Sequence, residues 1–192
     1  REGDDYLVSG EKIFITSGMR ADYYSVAVRT DPTAKGANGV SMLLIEGDRA
    51  GISKTPLKKM GWWSSDTAQL HFDQCRVPVS NLIGPENLGF MVIMQNFNME
   101  RFFLAASSYG FAKVCYEDTL DWAQQRKTFG KRLVDHQVVR HKLIEMATQL
   151  HATRALLEDT AWRLNQPEQQ GNDLVAQICM LKNLATRTMQ LC

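Results

Sequence analysis

Ile83-Gly84-Pro85-Glu86-Asn87-Leu88-Gly89-Phe90-Met91-Val92-Ile93-Met94 is the stretch across which the chain changes its grammar. Before its end stand 10 of the 13 glycines and 4 of the 5 prolines, whereas from Gln95 onward only Gly110, Gly130, Gly171 and Pro167 interrupt the run. Gly and Pro punctuate short elements and break long ones. The pattern predicts an α+β chain: a small antiparallel β-sandwich or flattened barrel over residues 1–86, then an up-and-down α-helical bundle, incomplete, over residues 87–192.

Working back from that stretch, β-branched and aromatic residues between turn formers predict six short strands: Tyr6 to Val8, Lys12 to Thr16, Tyr23 to Arg29, Val40 to Glu46, Ile52 to Leu57 and Ala68 to Val77. Ser9-Gly10 reads as a hairpin turn between the first two, and Thr30 to Asn38 as a polar loop. Working forward, apolar spacings of three and four (Leu143, Met146, Leu150, Leu157) predict helices. Gly130 is expected to close the first long helix near Arg126; the second runs from about Gln137 to Leu164; Pro167 and Gly171 mark the turn into a third near Asp173.

Lys+Arg 22 against Asp+Glu 21 leaves a net charge of +1 over 192 residues, which argues against a nucleic-acid binder or a polybasic membrane module. The longest apolar runs, Phe90 to Met94 and Phe102 to Ala106, fall far short of the ~20 residues a membrane-spanning helix needs. Cys75, Cys115, Cys179 and Cys192 lack metal-site spacing and read as reduced intracellular thiols. The chain opens without an initiator Met and stops inside a helical pattern, so a piece of a longer protein is expected.

Three constellations carry chemistry. Glu100 is expected near a helix start, with Asn98 as N-cap. It reads either as a carboxylate complementing the helix end or as a base among Phe97, Met99, Phe102, Phe103 and Leu104. Gln125-Arg126-Lys127-Thr128-Phe129-Gly130-Lys131-Arg132, with His136-Gln137 after it, reads either as a solvated charge run or as an arginine fork with amide and hydroxyl donors suited to a pyrophosphate. Phe14-Ile15-Thr16-Ser17-Gly18 offers an aromatic wall, a hydroxyl and a turn; Met60 to Thr67 holds adjacent tryptophans that read as core, ligand wall or subunit contact. No GxGxxG, Walker, HExxH or GxSxG signature is present.

At these residues the chain resembles the acyl-CoA dehydrogenase family. Tyr6 through Ser17 is similar to the family's strand pair ending in a Trp-Ile-Thr-Asn type segment, Met60-Gly61 through Thr67 to the next strand connection, Cys75 to Gly84 to the lead into the helical domain, and Gln125 to Gly130 with His136-Gln137 to the flavin-contacting loop. The resemblance implies FAD-dependent α,β-dehydrogenation of acyl-CoA in fatty-acid β-oxidation, with Glu100 as base, placed before Arg101 as in the isovaleryl and long-chain types. It implies that Phe14 and Thr16 lie against the flavin, that Arg126, Lys127, Thr128, Phe129, His136 and Gln137 hold the FAD of a neighbouring subunit, and that Asn98 and Arg101 lie near acyl-CoA. Phe14 stands where the family often has Trp, Asn98 where some members carry Asp, and Trp63 where some carry Arg. It further implies a homo-oligomer (dimer or tetramer), an electron-transfer flavoprotein as acceptor, and a bacterial cytoplasmic or mitochondrial matrix location. The alternatives are a flavin oxidase or monooxygenase on the same scaffold, and a non-catalytic flavoprotein scaffold.

Overall fold

Two-residue alternation, and the places where it slips, builds the first half of the protein. The computed structural model describes residues 1–166, 168 and 171–192, and divides into two units, Arg1–Met94 and Gln95–Cys192. In the first unit β1 (Asp5–Thr16), β5 (Thr67–Pro78) and β4 (Ile52–Pro56) form one sheet in the order β1-β5-β4. β2 (Tyr23–Arg29), β3 (Val40–Glu46) and the short β6 (Leu82–Ile83) form the other, in the order β2-β3-β6. All pairings are antiparallel, and among the described residues the two sheets do not close into a barrel. Tyr6, Val8, Tyr24, Val26, Leu43, Ile45, Leu70 and Phe72 fill the core of this unit.

The sandwich reading holds, with one correction: Ser9-Gly10 is not a hairpin turn. The runs on either side of it are one strand, because both pair with β5. Between Val8↔Cys75 and Gly10↔Phe72, β5 carries the extra residue of a bulge, with Gln74 at φ 46°. Ser9 Oγ accepts from Gln74 N (3.1 Å) and Gln74 Nε2 (2.9 Å). The bulge shifts the inward phase of β5 from Ala68, Leu70 and Phe72 to Cys75 and Val77, keeping all five buried.

In the second unit the helices are α1 (Gly89–Gln125, whose first residues belong to the first unit), α2 (Gln137–Leu164) and α3 (Asn172–Leu191). α2 begins and ends where the apolar period places it, with Leu143, Met146, Leu150, Thr153 and Thr160 buried on one face. Ala105 packs with Leu181 and Ala185, flanked by Phe102, Leu156 and Leu157. The α2–α3 contact is partly polar: the buried Thr153 and Thr188 hydroxyls lie 2.9 Å apart, and Gln177 Nε2 donates to Thr160 Oγ1 (3.0 Å) and Asp159 Oδ2 (2.6 Å). The turn expected at Pro167 lies outside the described residues.

Two further expectations are corrected. α1 begins at Gly89, so Glu100 stands well inside the helix and Asn98 is not its N-cap. The apolar run Phe90 to Met94, without a polar face, hid the first turns. Gly130 does not close α1, which ends at Gln125; it completes a two-residue turn between β7 (Lys127–Thr128) and β8 (Lys131–Arg132). Phe129 (φ 51°) and Gly130 (φ 76°) are both left-handed, as a type I′ turn requires.

Candidate active site

In the β unit the residues of interest gather at the far end of β1. Between Lys12↔Leu70 and Ile15↔Ala68 the extra residue lies on β1, and Phe14 takes it up at φ 62°. Ile15 therefore meets the core while Ile13 and Phe14 turn outward, Phe14 to 73% exposure. A left-handed aromatic costs roughly 1–2 kcal/mol where Gly would cost little, a strain that collects at functional positions. Thr16, the exposed last residue of the strand, pairs with Thr67.

The turn after Thr16 is locked onto Asp66. Ser17 N donates to Asp66 O (3.0 Å), Met19 N to Asp66 Oδ2 (2.8 Å), and Arg20 Nε lies 2.9 Å from Asp66 Oδ1 in an ion pair too bent to count as a hydrogen bond. The buried Tyr24 hydroxyl donates to Gly18 O at 2.6 Å. A Cβ on Gly18 would meet Ala68 Cβ at 2.8 Å and Ile15 O at 2.9 Å, which explains the glycine. The two stretches read separately from sequence, Phe14 to Gly18 and Met60 to Thr67, thus meet at one end of one ladder. Trp62 and Trp63 are 77% and 82% exposed, so the core reading of that pair is wrong for this chain.

On α1, Glu100 is exposed, and Asn96 Nδ2, one turn earlier, donates to its Oε1 at 2.6 Å. Among the described residues no donor reaches Oε2. Arg101 Nη1 donates to Asn98 Oδ1 (3.2 Å), and its guanidinium sits 5.9 Å from the Phe97 ring centroid. Phe97, Met99, Phe103 and Leu104 are all exposed, so the dry surround expected for Glu100 is not formed by this chain alone. Asn96 was missed in the sequence; its signal was the i, i+4 spacing to a carboxylate.

At the other end of α1 the β7–β8 hairpin presents Arg126, Lys127 and Lys131, all exposed and, among the described residues, paired with no carboxylate. Arg132 differs: its Nε and Nη2 donate to Asp135 Oδ2 and Oδ1, both at 3.0 Å, and this fork holds the Asp135 carboxyl below its usual pKa. His136 Nε2 lies 3.2 Å from Thr128 O and 3.4 Å from Thr128 Oγ1, tying the hairpin to the start of α2. His136 is the N-cap of α2 but caps nothing through its side chain, and the first turn carries no acidic residue. The leading N–H groups of α2 therefore stay unsatisfied, with Gln137 first in line. Three unpaired cations, a hydroxyl and a free helix N-terminus make a donor set suited to a pyrophosphate.

Comparison with known proteins finds the same pattern. Residues 1–75 match the family model of the acyl-CoA dehydrogenase middle domain, and residues 87–192 that of the acyl-CoA dehydrogenase C-terminal domain. The cyclohexane-1-carbonyl-CoA dehydrogenase of Geobacter metallireducens is 38% identical over 82% of this chain and 41% of its own length. The crystal structure of a probable acyl-CoA dehydrogenase from Mycobacterium abscessus superposes with a TM-score of 0.89 at 43% identity, covering 100% of this chain and 50% of that one. A solved structure titled as an electron transferring flavoprotein of Acidaminococcus fermentans gives a TM-score of 0.87 at 32% identity, over 98% of this chain and 48% of that one. This chain thus spans half or less of the length of these proteins.

Proposed function

The chain belongs to the acyl-CoA dehydrogenase family, and on that premise we propose that the protein carrying it converts an acyl-CoA thioester to the trans-2-enoyl-CoA, with FAD as cofactor. Residues 1–86 are its middle β-domain and residues 87–192 part of its C-terminal bundle. The observation that carries the reading is Glu100, a carboxylate held at one oxygen by Asn96 and open at the other, amid exposed apolar side chains.

In this mechanism Glu100 accepts the α-proton at its open oxygen, and Asn96 holds the rotamer. Bound flavin supplies the acceptor for the hydride that leaves the β-carbon. Phe14 provides an apolar wall for the ring and Thr16 a hydroxyl at its edge. Arg126, Lys127, Thr128, Phe129, His136 and Gln137 hold the rest of FAD, its pyrophosphate falling to the cations and the open N-terminus of α2. Asn98 and Arg101 meet acyl-CoA, and closure of the apolar surface around Glu100 excludes water.

From Glu100 to Gln125 a continuous helix advances about 38 Å. The carboxylate and the hairpin of one copy therefore sit at opposite ends of α1, which supports a homo-oligomer, dimer or tetramer, in which the hairpin of one subunit completes the site of another. An electron-transfer flavoprotein is the acceptor, and the place of action is a mitochondrial matrix or bacterial cytoplasm; no helix among the described residues is long and apolar enough to cross a membrane.

The test is anaerobic bleaching of the flavin in the whole protein by acyl-CoA thioesters of graded length and branching. Wild-type protein is expected to bleach with at least one, and Glu100→Gln to do so about 10²- to 10⁴-fold more slowly. Bleaching of the variant at the wild-type rate overturns the assignment. Rapid reoxidation of the reduced flavin by oxygen would identify an oxidase instead.

A further inference from the structure

The mechanism above uses none of the four cysteines. Two of them, Cys115 on α1 and Cys192 at the C-terminal end of α3, are brought together by the packing of the helical unit. Phe102 lines a cavity with Ala161, and Tyr109 interacts with Arg154, so α1 and α2 run antiparallel. Gln177 bonds Thr160 and Thr188 bonds Thr153, so α2 and α3 are antiparallel too. α1 and α3 are therefore parallel neighbours. Ala105 packs between Leu181 and Ala185, and equal rise along both helices brings the level of Cys115 to that of Cys192. The buried contact residues of α1, Ala105 and Ala112, are small, which lets the two backbones approach closely. Cys115 is exposed and Cys192 half-buried. Burial pushes the Cys192 thiol pKa up, and the neighbouring Cys115 adds to the rise.

We infer that Cys115 and Cys192 form a thiol pair that a low-molecular-weight disulfide such as oxidised glutathione converts to an intramolecular disulfide joining α1 to α3. The accessible partner reacts first. Cys115 thiolate attacks one sulfur of the glutathione disulfide, the S–S bond breaks, and one glutathione leaves as thiolate and takes up a proton. Cys192 thiolate then attacks the Cys115 sulfur of the mixed disulfide and expels the second glutathione. In sum two protein thiols are oxidised, one glutathione disulfide is reduced to two thiols, and the two protons pass to the leaving groups. Cys75, fully buried with its thiol pKa raised by burial, takes no part.

The test uses the whole protein treated with oxidised glutathione, followed by thiol titration and peptide mapping without reduction. The four thiols of this chain are expected to fall to two, with one cross-linked peptide pair holding Cys115 and Cys192. Cys192→Ser is expected to stop at a stable glutathione adduct on Cys115, and Cys115→Ser to leave Cys192 unmodified. A wild-type product identical to that of Cys192→Ser, or a cross-link through Cys75 or Cys179, overturns the inference. None of these readouts depends on flavin or acyl-CoA, so the outcome is separate from that of the proposed function.

Discussion

Asn96 Nδ2 donates to Glu100 Oε1 at 2.6 Å, one helical turn apart on α1. The bond holds the carboxylate without touching the oxygen assigned to the α-proton, which makes Asn96 a positioning residue. Asn96→Ala is expected to slow flavin reduction by no more than about tenfold, against the 10²- to 10⁴-fold loss in Glu100→Gln. Stopped-flow bleaching of both variants separates the two roles, and equal losses would show that Asn96 does more than orient.

The length of α1 makes a second expectation quantitative. If the hairpin serves the site of another subunit, Glu100→Gln and an Arg126→Ala/Thr128→Ala hairpin variant are each inactive alone. Mixed subunits then regain about a quarter of the wild-type activity, because half the random dimers are hybrid and each hybrid holds one intact site. A site completed within one chain would regain none. Co-expression with two affinity tags and an activity assay on the doubly tagged species distinguishes the cases.

Phe14 is left-handed at φ 62° and largely exposed. Phe14→Gly is therefore expected to raise the stability of the flavin-free protein by about 1 kcal/mol in urea unfolding while weakening flavin binding, read by equilibrium titration. A variant less stable than wild type would mean that the ring packs against more than this chain shows.

Two glycines of α1 are expected to respond with opposite signs. A Cβ on Gly89 would meet Ser41 C at 2.6 Å and Met42 N at 2.7 Å, backbone atoms that cannot rotate away, so Gly89→Ala should cost about 1–3 kcal/mol despite its better helix propensity. A Cβ on Gly110 meets nothing within 4 Å, and Gly110→Ala should stabilise by about 0.5–1 kcal/mol. Urea denaturation midpoints of the two variants give the comparison.

Tyr6 is buried, and burial, with a 2.6 Å hydrogen bond from its hydroxyl to Glu86 Oε1, pushes its pKa up to about 12. The folded protein binds this proton more tightly than the unfolded chain, whose tyrosine titrates near ~10. The stabilisation is complete below about pH 10 and falls as pH rises toward about 12, by roughly 2–3 kcal/mol in all. Tyr6→Phe should flatten the alkaline limb of the stability curve, measured by urea unfolding between those pH values.

Much of the architecture was legible in residue order because local periodicity carried it. The bounds of α2 follow from its apolar spacing, and β2 and β3 from unbroken β-branched and aromatic runs that pair in full register, Tyr23↔Glu46 through Arg29↔Val40. The start of α1 was not legible, since Phe90 to Met94 shows no polar face to set a helical period. Nor was the path of Ser9-Gly10: turn formers specify a bend only when the flanking runs pair with each other, and here both pair with β5.

The same division holds at the candidate site. Residue order alone supplied the identities, Glu100 beside Arg101, the cations around Phe129-Gly130 and the aromatic at position 14, because chemistry and family likeness are written in residue types. Tertiary structure decided what each faces. A bulge that exists only against β5 turns Phe14 outward, a helix more than ten residues longer at its start than expected puts Glu100 in mid-face, and a type I′ hairpin aims Arg126 and Lys127 beside an uncapped helix end. Those outcomes depend on strand register and helix contacts between residues far apart in the chain, which no local pattern encodes.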